Sequence, residues 1–201
     1  LHKTLEKRLG ESFKQVSDRL ELVHKGLGEM QTIATGVGDL KKVLTNVKTR
    51  GVLGEYQLEN ILEQILTPDQ FSKNVHTKDG SQRHVEFAVK MPGKDNLKEV
   101  WLPIDSKFPI EPYNALNHEY EHGDKLSIEK ARKALIKSIE IFAKDISSKY
   151  IDPPNTTDFA IMFLPIEGLY AEAIRDVGLF NTLRSKYSIT ITGPTTLSAL
   201  L

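Results

Sequence analysis

The sequence lacks cysteine, an excess of either charge, and any long apolar run. Without cysteine, no disulfide framework or cysteine-ligated metal site can form, which suits a reducing compartment. Twenty-seven basic residues balance 27 acidic residues, so no overall positive field attracts nucleic acid, and any surface that binds it must be local. No stretch of about 18 apolar residues occurs, so no segment of this sequence is predicted to span a membrane.

Several functional motifs are absent as well. The sequence contains no phosphate-binding glycine loop, and its six histidines do not fall at metal-ligand spacings. No secretory signal is recognisable, so we expect a cytoplasmic protein. Because the chain starts at Leu1 rather than Met and ends inside the predicted helix "GPTTLSALL", we interpret it as part of something longer.

Residues 1–50 differ in pattern from the rest and predict a helical coiled-coil arm. Apolar or small residues recur at alternating steps of four and three from Leu9 to Val37, which is a heptad seam. Glycines between Gly26 and Gly38 predict a break or kink. The seam fits a partner helix, most simply that of a second copy in a homo-oligomer. The alternative is a long helix that packs on its own domain.

Residues 51–201 predict an α/β domain with a mixed central sheet flanked by helices. Apolar residues at helical spacing and short alternating or continuous apolar runs carry this prediction. Predicted helices cover 55–66, 126–150 and 167–186 (the last in one piece or in two), with another opening at Pro194. Predicted strands lie within 72–82, 84–91, 100–105, 158–165 and 187–192.

The strands on either side of the 92–99 loop bring charged residues together when they are paired as a hairpin. Burying both apolar faces requires paired residue numbers with an odd sum, and a sum of 191 sets Phe87 opposite Ile104. The same register sets Glu86 opposite Asp105, about 5 Å apart between Cβ atoms. Lys107 follows on the same face as Asp105. Two carboxylates this close repel each other unless a proton or a hard divalent cation intervenes.

A third carboxylate, Glu55, lies at the edge of the apolar stripe of the 55–66 helix and is expected to lean over the sheet. Its alternative role is to favour the positive helix N-terminus. Asp-x-Lys alone is equally typical of a strand that runs out into a solvated turn. Glu167, after the apolar run at 158–165, is a weaker candidate for which helix capping is the favoured explanation.

Five segments together resemble the RmuC family of DNA recombination proteins: "GVLGEYQLENIL", "RHVEFAVKMPG", "PIDSKFPIEPYNAL", "DFAIMFLPIEGLYAEAI" and "ITGPTTLSALL". The resemblance covers about residues 50–201. It implies a restriction-endonuclease-like fold with the PD-(D/E)xK signature, preceded by a coiled coil. It also implies that a longer protein carries an upstream inner-membrane anchor, which members often have. One departure is that Val85-Glu86 stands where the family usually has Pro-Asp.

The resemblance implies a Mg²⁺- or Mn²⁺-dependent deoxyribonuclease. Its metal ligands would be Asp105, Glu86, Glu55 and the carbonyl of Ser106, and the ion would act as a Lewis acid. Lys107 would orient the attacking water and offset charge on the phosphate. The rival hypothesis is a non-catalytic oligomeric scaffold, binding DNA or protein, in which Glu86 marks a degraded site.

DNA would need basic residues to reach this site. Arg83 and Lys73 are the nearer candidates along the sequence. A lysine stripe on the 126–150 helix, at Lys130, Lys133 and Lys137, would provide salt-sensitive phosphate contacts that are independent of base sequence. The alternative for the stripe is an ordinary solvated helix face.

Overall fold

A computed structural model describes residues 47–78, 80–93 and 99–201. Apart from 47–49, these residues belong to one compact unit, Arg50–Leu201. The predicted coiled-coil arm at 1–50 lies outside the described residues except for its last four, which belong to the first helix. Within the described ranges, no helix combines the length and apolar character needed to cross a membrane.

The described residues form six helices and five strands. The helices are α1 (Val47–Ile65), α2 (Ile110–His122), α3 (Lys125–Tyr150), α4 (Glu167–Arg175), α5 (Val177–Tyr187) and α6 (Pro194–Leu200); the strands are β1 (Phe71–Val75), β2 (Val85–Met91), β3 (Val100–Ser106), β4 (Ala160–Phe163) and β5 (Ile189–Thr192).

The five strands form one mixed sheet in the order β1-β2-β3-β4-β5. The β1–β2 and β2–β3 pairs are antiparallel, whereas the β3–β4 and β4–β5 pairs are parallel. Parallel neighbours need crossover connections, and helices provide both of them here. The end of β3 therefore lies beside the end of β4 and the beginning of β2.

Helices cover both faces of this sheet. On one face, Leu58 and Leu62 of α1 pack with Leu197 of α6 against strand residues that include Phe87 and Ile104. On the other face, α2, α3, α4 and α5 cover β4 and β5, with buried side chains at Leu116, Leu135, Ile139, Ala143, Ile146, Leu169, Ala173, Leu179 and Leu183. Successive strand residues alternate between these two layers.

Helix ends follow local sequence signals. Asp124 precedes α3 and accepts a hydrogen bond from the Ser127 N–H at 2.8 Å. Asp176 divides α4 from α5 and accepts from the Leu179 N–H at 2.7 Å. An N-terminal carboxylate cap satisfies backbone donors that have no partner within the helix, so each Asp starts its helix at a defined residue.

The predicted hairpin register is confirmed, since Phe87 pairs with Ile104 and Met91 with Val100. The helical prediction for 167–186 is confirmed as well, and of the two alternatives the structure has two helices, α4 and α5. The predicted order of elements was wrong in one place, because it omitted α2. Prolines at 109 and 112 indicated a loop instead of a helix at this point of the sequence. Pro109 precedes it and Pro112 lies in its first turn, where a missing N–H costs little.

Candidate active site

Three charged side chains meet where β3 ends beside the start of β2. The observed register, continued by one residue, sets Glu86 opposite Asp105, on the sheet face that α3 covers. Lys107 follows two residues later. Asp105 is only 1% exposed, and an isolated buried carboxylate is costly. Its neighbours therefore decide what this site can do.

Glu86 is fixed by the backbone of β3. Its Oε2 accepts a hydrogen bond from the Ser106 N–H at 2.9 Å. Burial and the nearby charge of Asp105 raise the pKa of Glu86 to about 8, although the Ser106 N–H and Lys107 oppose that rise. The carboxyl group therefore holds its proton near neutral pH unless a cation takes the place of the proton.

Lys107 Nζ lies 2.5 Å from Oδ2 of Asp105 and donates to the Ser106 carbonyl at 3.3 Å. Burial raises the pKa of Asp105 despite this ion pair. Burial alone would lower the pKa of Lys107, but Asp105 and Glu86 outweigh it and raise that pKa. The ammonium thus stays charged.

Asp105 retains bonding capacity in its buried position. Within the described part of the chain, neither of its carboxylate oxygens accepts a well-aligned hydrogen bond. Oδ2 lies against Lys107 Nζ, whereas Oδ1 has no partner among the described residues. Because buried polar atoms are usually satisfied, a buried carboxylate with a free oxygen next to a second carboxylate fits a site for a hard cation.

The third predicted carboxylate, Glu55, projects from α1. Its charge reaches Glu86 and contributes to that residue's raised pKa. Among the described residues, however, no group of three Asp, Glu, His or Cys side chains is arranged to hold a metal ion. Glu86 and Asp105 are thus the close pair, and Glu55 stands apart from them.

The C-terminal end of α3 adds residues that sequence reasoning missed. The Tyr150 pKa is raised, first by burial and then by the charges of Asp105 and Glu86. Asp145 pairs with Lys149 at 2.6 Å, and the charges of both also reach Asp105. Tyr150 ends the clearest amphipathic helix, but the sequence does not show where that helix meets the sheet.

Arg83 lies on the same side of the molecule as this site. It is exposed, and its charge acts on Tyr150. The loop that carries it is held at two points: Lys78 Nζ donates to the Ser148 carbonyl at 2.7 Å, and His76 Nδ1 lies 3.2 Å from the Arg83 carbonyl. Of the predicted DNA-contacting residues, Arg83 is therefore the one whose charge reaches Tyr150 at the edge of the site.

Lys73 is not near the site, contrary to the prediction. It pairs with Phe87 across β1 and β2, so it lies on the α1 face, opposite to Asp105. There it forms an ion pair with Glu59. The prediction of a position near the site was wrong because side chains alternate between the two faces of the sheet along a strand. The sequence-based argument used this alternation for β2 and β3 but not for β1.

The lysine stripe of α3 is also remote from the site. Lys130, Lys133 and Lys137 are all exposed, and Lys133 pairs with Glu129 at 2.8 Å. Lys137 precedes Tyr150 by 13 residues, or about 20 Å along a helix. Their exposure and their distance from the site favour the alternative explanation, in which the stripe is an ordinary solvated face of α3.

Glu167 has a structural partner. Its Oε1 accepts a hydrogen bond from the Thr195 N–H at 2.6 Å, in the first turn of α6. Capping, the explanation favoured from the sequence, is therefore what the structure shows, although the capped helix is α6 rather than Glu167's own helix.

Comparisons with known proteins agree on one family. The profile of the RmuC family matches residues 1–201. A protein named DNA recombination protein RmuC homolog from Xylella fastidiosa (strain Temecula1) is 52% identical over 202 residues, covering 100% of this chain and 44% of that protein. Proteins of the same name from Pseudomonas aeruginosa and Chlamydia muridarum are 26% and 30% identical, over 98% and 100% of this chain and 44% and 46% of their own lengths.

No solved structure matches this chain. The chain spans less than half the length of these relatives. Because the family profile covers every residue and the Xylella protein shares half of its aligned positions, the chain belongs to the RmuC family.

Proposed function

We propose that this chain is the nuclease-like part of a protein that hydrolyses phosphodiester bonds of DNA during recombination, with a fold of the restriction-endonuclease kind. The observation that carries the proposal is the juxtaposition of Glu86, Asp105 and Lys107 at the end of β3. The names of the relatives, DNA recombination proteins, support DNA as the substrate.

The proposed cofactor is Mg²⁺ or Mn²⁺. Mg²⁺ is commonly held by one or two carboxylates together with phosphate oxygens of the substrate, and Asp105 and Glu86 meet that description. Glu55 and the Ser106 carbonyl are the additional ligands that we propose. When bound, the ion would supply charge stabilisation at the phosphate and a more acidic water.

Lys107 has a role of its own in this proposal. The ion pair with Asp105 and the hydrogen bond to the Ser106 carbonyl hold its ammonium at the end of β3, where the charge of Glu86 also acts on it. A fixed cation at this point orients the attacking water and offsets the charge that develops on the phosphate, without reorganising during the reaction.

DNA would approach past Arg83, the exposed cation nearest to the site among the predicted contacts. Lys130 and Lys137 would add contacts only for a duplex that extends along α3. A second copy, joined through the heptad seam of residues 1–50, is the proposed partner of the chain.

A non-catalytic scaffold is the second candidate function. The observation that favours it is the lack, among the described residues, of a three-carboxylate ligand group. Glu86 in place of the usual Asp adds a methylene and changes the reach of the carboxylate. A scaffold of this kind would bind DNA or protein with the same fold and cleave nothing.

Cleavage assays with Mg²⁺ or Mn²⁺ on linear, circular, branched and single-stranded DNA separate the two functions. We expect the wild type to cleave at least one form and Lys107→Gln to lose cleavage while keeping its fold and DNA binding. Lys90→Gln is the matched control, because Lys90 lies on the same sheet face and instead pairs with Glu99. It should cleave like the wild type.

Glu86→Asp tests the departure from the family pattern. Faster cleavage would show that Glu86 is suboptimal, and slower cleavage would show that the site is adapted to it. If the wild type, Glu86→Asp and Lys107→Gln are equally inert on every DNA form, the nuclease proposal fails and the scaffold replaces it.

A further inference from the structure

The last turn of α2 carries two histidines that sequence reasoning missed as a pair. His118 and His122 lie four residues apart in this helix, so they share one of its faces. Their rings are stacked, with centroids 4.7 Å apart and an angle of 29° between the ring planes. Two imidazoles at this helical spacing are an established arrangement for holding one transition-metal ion.

The contacts of the two rings leave one nitrogen of each for a ligand. His122 Nδ1 lies 3.2 Å from the His118 carbonyl. Because a carbonyl oxygen only accepts, Nδ1 of the neutral ring carries the hydrogen, and Nε2 keeps the lone pair that a metal ion requires. His118 Nδ1 faces Oε1 of Glu119 at 3.6 Å. A carbonyl or carboxylate beside one ring nitrogen is the usual support for a histidine that binds metal through the other.

A hydrated cation can reach both rings. The side chains of His118 and His122 are 66% and 64% exposed. Two carboxylates flank them, since Glu119 faces His118 and Oε2 of Glu121 lies 3.9 Å from His122 Nδ1. The pair also lies at the C-terminal end of its helix, where the backbone carbonyls give a partial negative charge. All three features favour a bound cation.

The turn that carries the pair is fixed to the rest of the protein. Tyr120, between the two histidines, donates to Glu172 of α4 at 3.0 Å and accepts from Arg132 of α3 at 2.8 Å. The Gly123 N–H closes the turn by donating to the Glu119 carbonyl at 2.8 Å. These contacts hold the helix end in helical form and so keep the two histidines at their spacing.

The order of residues 118–122 is H-E-x-x-H, as in zinc peptidases, where the glutamate acts as a base. A catalytic zinc site usually has three protein ligands. Among the described residues, no group of three His, Cys, Asp or Glu side chains is arranged to hold a metal ion. The arrangement therefore supports binding of an ion by two protein ligands and does not support peptide hydrolysis.

We propose that His118 and His122 form a surface site for a divalent cation that prefers imidazole, such as Zn²⁺ or Ni²⁺, bound through both Nε2 atoms with water in its other positions. Mg²⁺ and Mn²⁺ prefer oxygen ligands, so this site differs in its chemistry from the Glu86–Asp105 pair. It lies at the far end of α2, about 18 Å along the helix from the start that follows Lys107. The inference does not depend on the proposed function.

Titration of the intact chain with Zn²⁺ by calorimetry tests the site, with protein that carries no histidine tag and with excess Mg²⁺ to compete for oxygen ligands. The wild type should bind Zn²⁺. His118→Gln and His122→Gln should each weaken binding by more than about tenfold, since even the loss of a group that supports a metal ligand costs that much.

His84→Gln is the matched control. His84 belongs to the other close pair of histidines among the described residues, in which its ring lies edge to face with that of His76 at 5.9 Å. These two residues come from opposite ends of a loop rather than from one helix face. Their perpendicular rings do not form the stacked arrangement of α2, so the variant should bind Zn²⁺ like the wild type.

A second variant keeps the number of histidines and changes only their spacing. Asn117→His combined with His118→Gln sets the two rings five residues apart, about 140° around the helix axis, so that they no longer share a face. Chelation requires both rings on one face. The double variant should therefore bind Zn²⁺ as weakly as His118→Gln does.

Four results would overturn the inference. The wild type could take up no Zn²⁺, or either His118→Gln or His122→Gln could keep wild-type affinity. His84→Gln could weaken binding as much as they do, or the variant with altered spacing could bind like the wild type. Circular dichroism should show the same helix content in all variants, because His118 and His122 are exposed. The presence or absence of DNA cleavage has no bearing on any of these outcomes.

Discussion

At the scale of single residues, the unusual feature is a buried pair of carboxyl groups with only one lysine beside it. Asp105 is 1% exposed, and its partner Glu86 is fixed by a backbone N–H. Burial of two carboxylates costs free energy that a single ammonium does not fully offset. The raised pKa values of both carboxyl groups express that cost, so the site is poised to take up a proton or a cation.

Stability should therefore depend on pH in a defined direction. Burial raises the Glu86 pKa from 4.5 to about 8, so the folded state binds more protons than the unfolded state between these values. This contribution is fully present below about pH 4.5 and is lost as the pH rises toward 8. The raised pKa of Lys107 changes the free energy of unfolding only above about pH 10.5, outside the range from pH 4.5 to 8.

Urea unfolding at pH 5, 6.5 and 8 without divalent cations checks this expectation. The free energy of unfolding should fall toward pH 8, and Glu86→Gln should flatten the profile and gain on the order of a few kcal/mol at pH 8. Glu63→Gln, on the exposed side of α1, is the control and should follow the wild type. If the free energy of unfolding of the wild type rose from pH 5 to 8 and that of Glu86→Gln rose in parallel, the raised pKa of Glu86 would be contradicted.

At the scale of secondary-structure elements, the sequence predicted the part of the site that depends on local periodicity. The alternation in β2 and β3 defined their register, and that register predicted the Glu86–Asp105 pair and the face of Lys107. It did not predict Tyr150 or Asp145, because the docking of α3 on the sheet depends on packing between distant segments. Lys73 was misplaced for a related reason, since its face follows from how β1 pairs with β2.

The helix α2 shows another limit of the sequence pattern. Leu116 is its one fully buried residue among 13, so its apolar periodicity is weak. Such a helix forms because tertiary contacts stabilise it rather than because of its own amphipathic face.

The link between α4 and α6 gives a prediction at this scale. Glu167 satisfies a backbone donor in the first turn of α6, so Glu167→Ala should lower the free energy of unfolding by about 1 kcal/mol. DNA cleavage should be unaffected, since this carboxylate is engaged in capping. Glu121→Ala, at an exposed position near the end of α2, is a suitable control for both measurements. A large loss of cleavage in Glu167→Ala at unchanged stability would return Glu167 to the list of catalytic candidates.

At the scale of the whole molecule, the heptad seam of residues 1–50 predicts self-association. Phe13 and Leu20 occupy seam positions, where a charged side chain opposes burial against a partner helix. Phe13→Asp combined with Leu20→Asp should therefore convert the protein to a smaller species in sedimentation velocity experiments. Lys14→Asp with Glu21→Lys, one position off the seam, should leave the sedimentation coefficient unchanged. A wild type that is already monomeric would contradict the prediction.

DNA binding is the second property of the whole molecule, and charge reversals can distinguish binding near Arg83 from binding along the outer face of α3. Because net charge is zero, affinity must come from a local basic surface. Arg83→Glu and Lys137→Glu change the net charge equally, but Arg83 precedes Glu86 by three residues and its charge acts on Tyr150, whereas Lys137 lies far along α3. In fluorescence titrations of duplex DNA at several salt concentrations, Arg83→Glu should weaken binding and reduce the slope of log K against log salt by about one. Lys137→Glu should change neither appreciably. The reverse pattern would show that DNA follows the outer face of α3, and equal losses would show that only total charge matters.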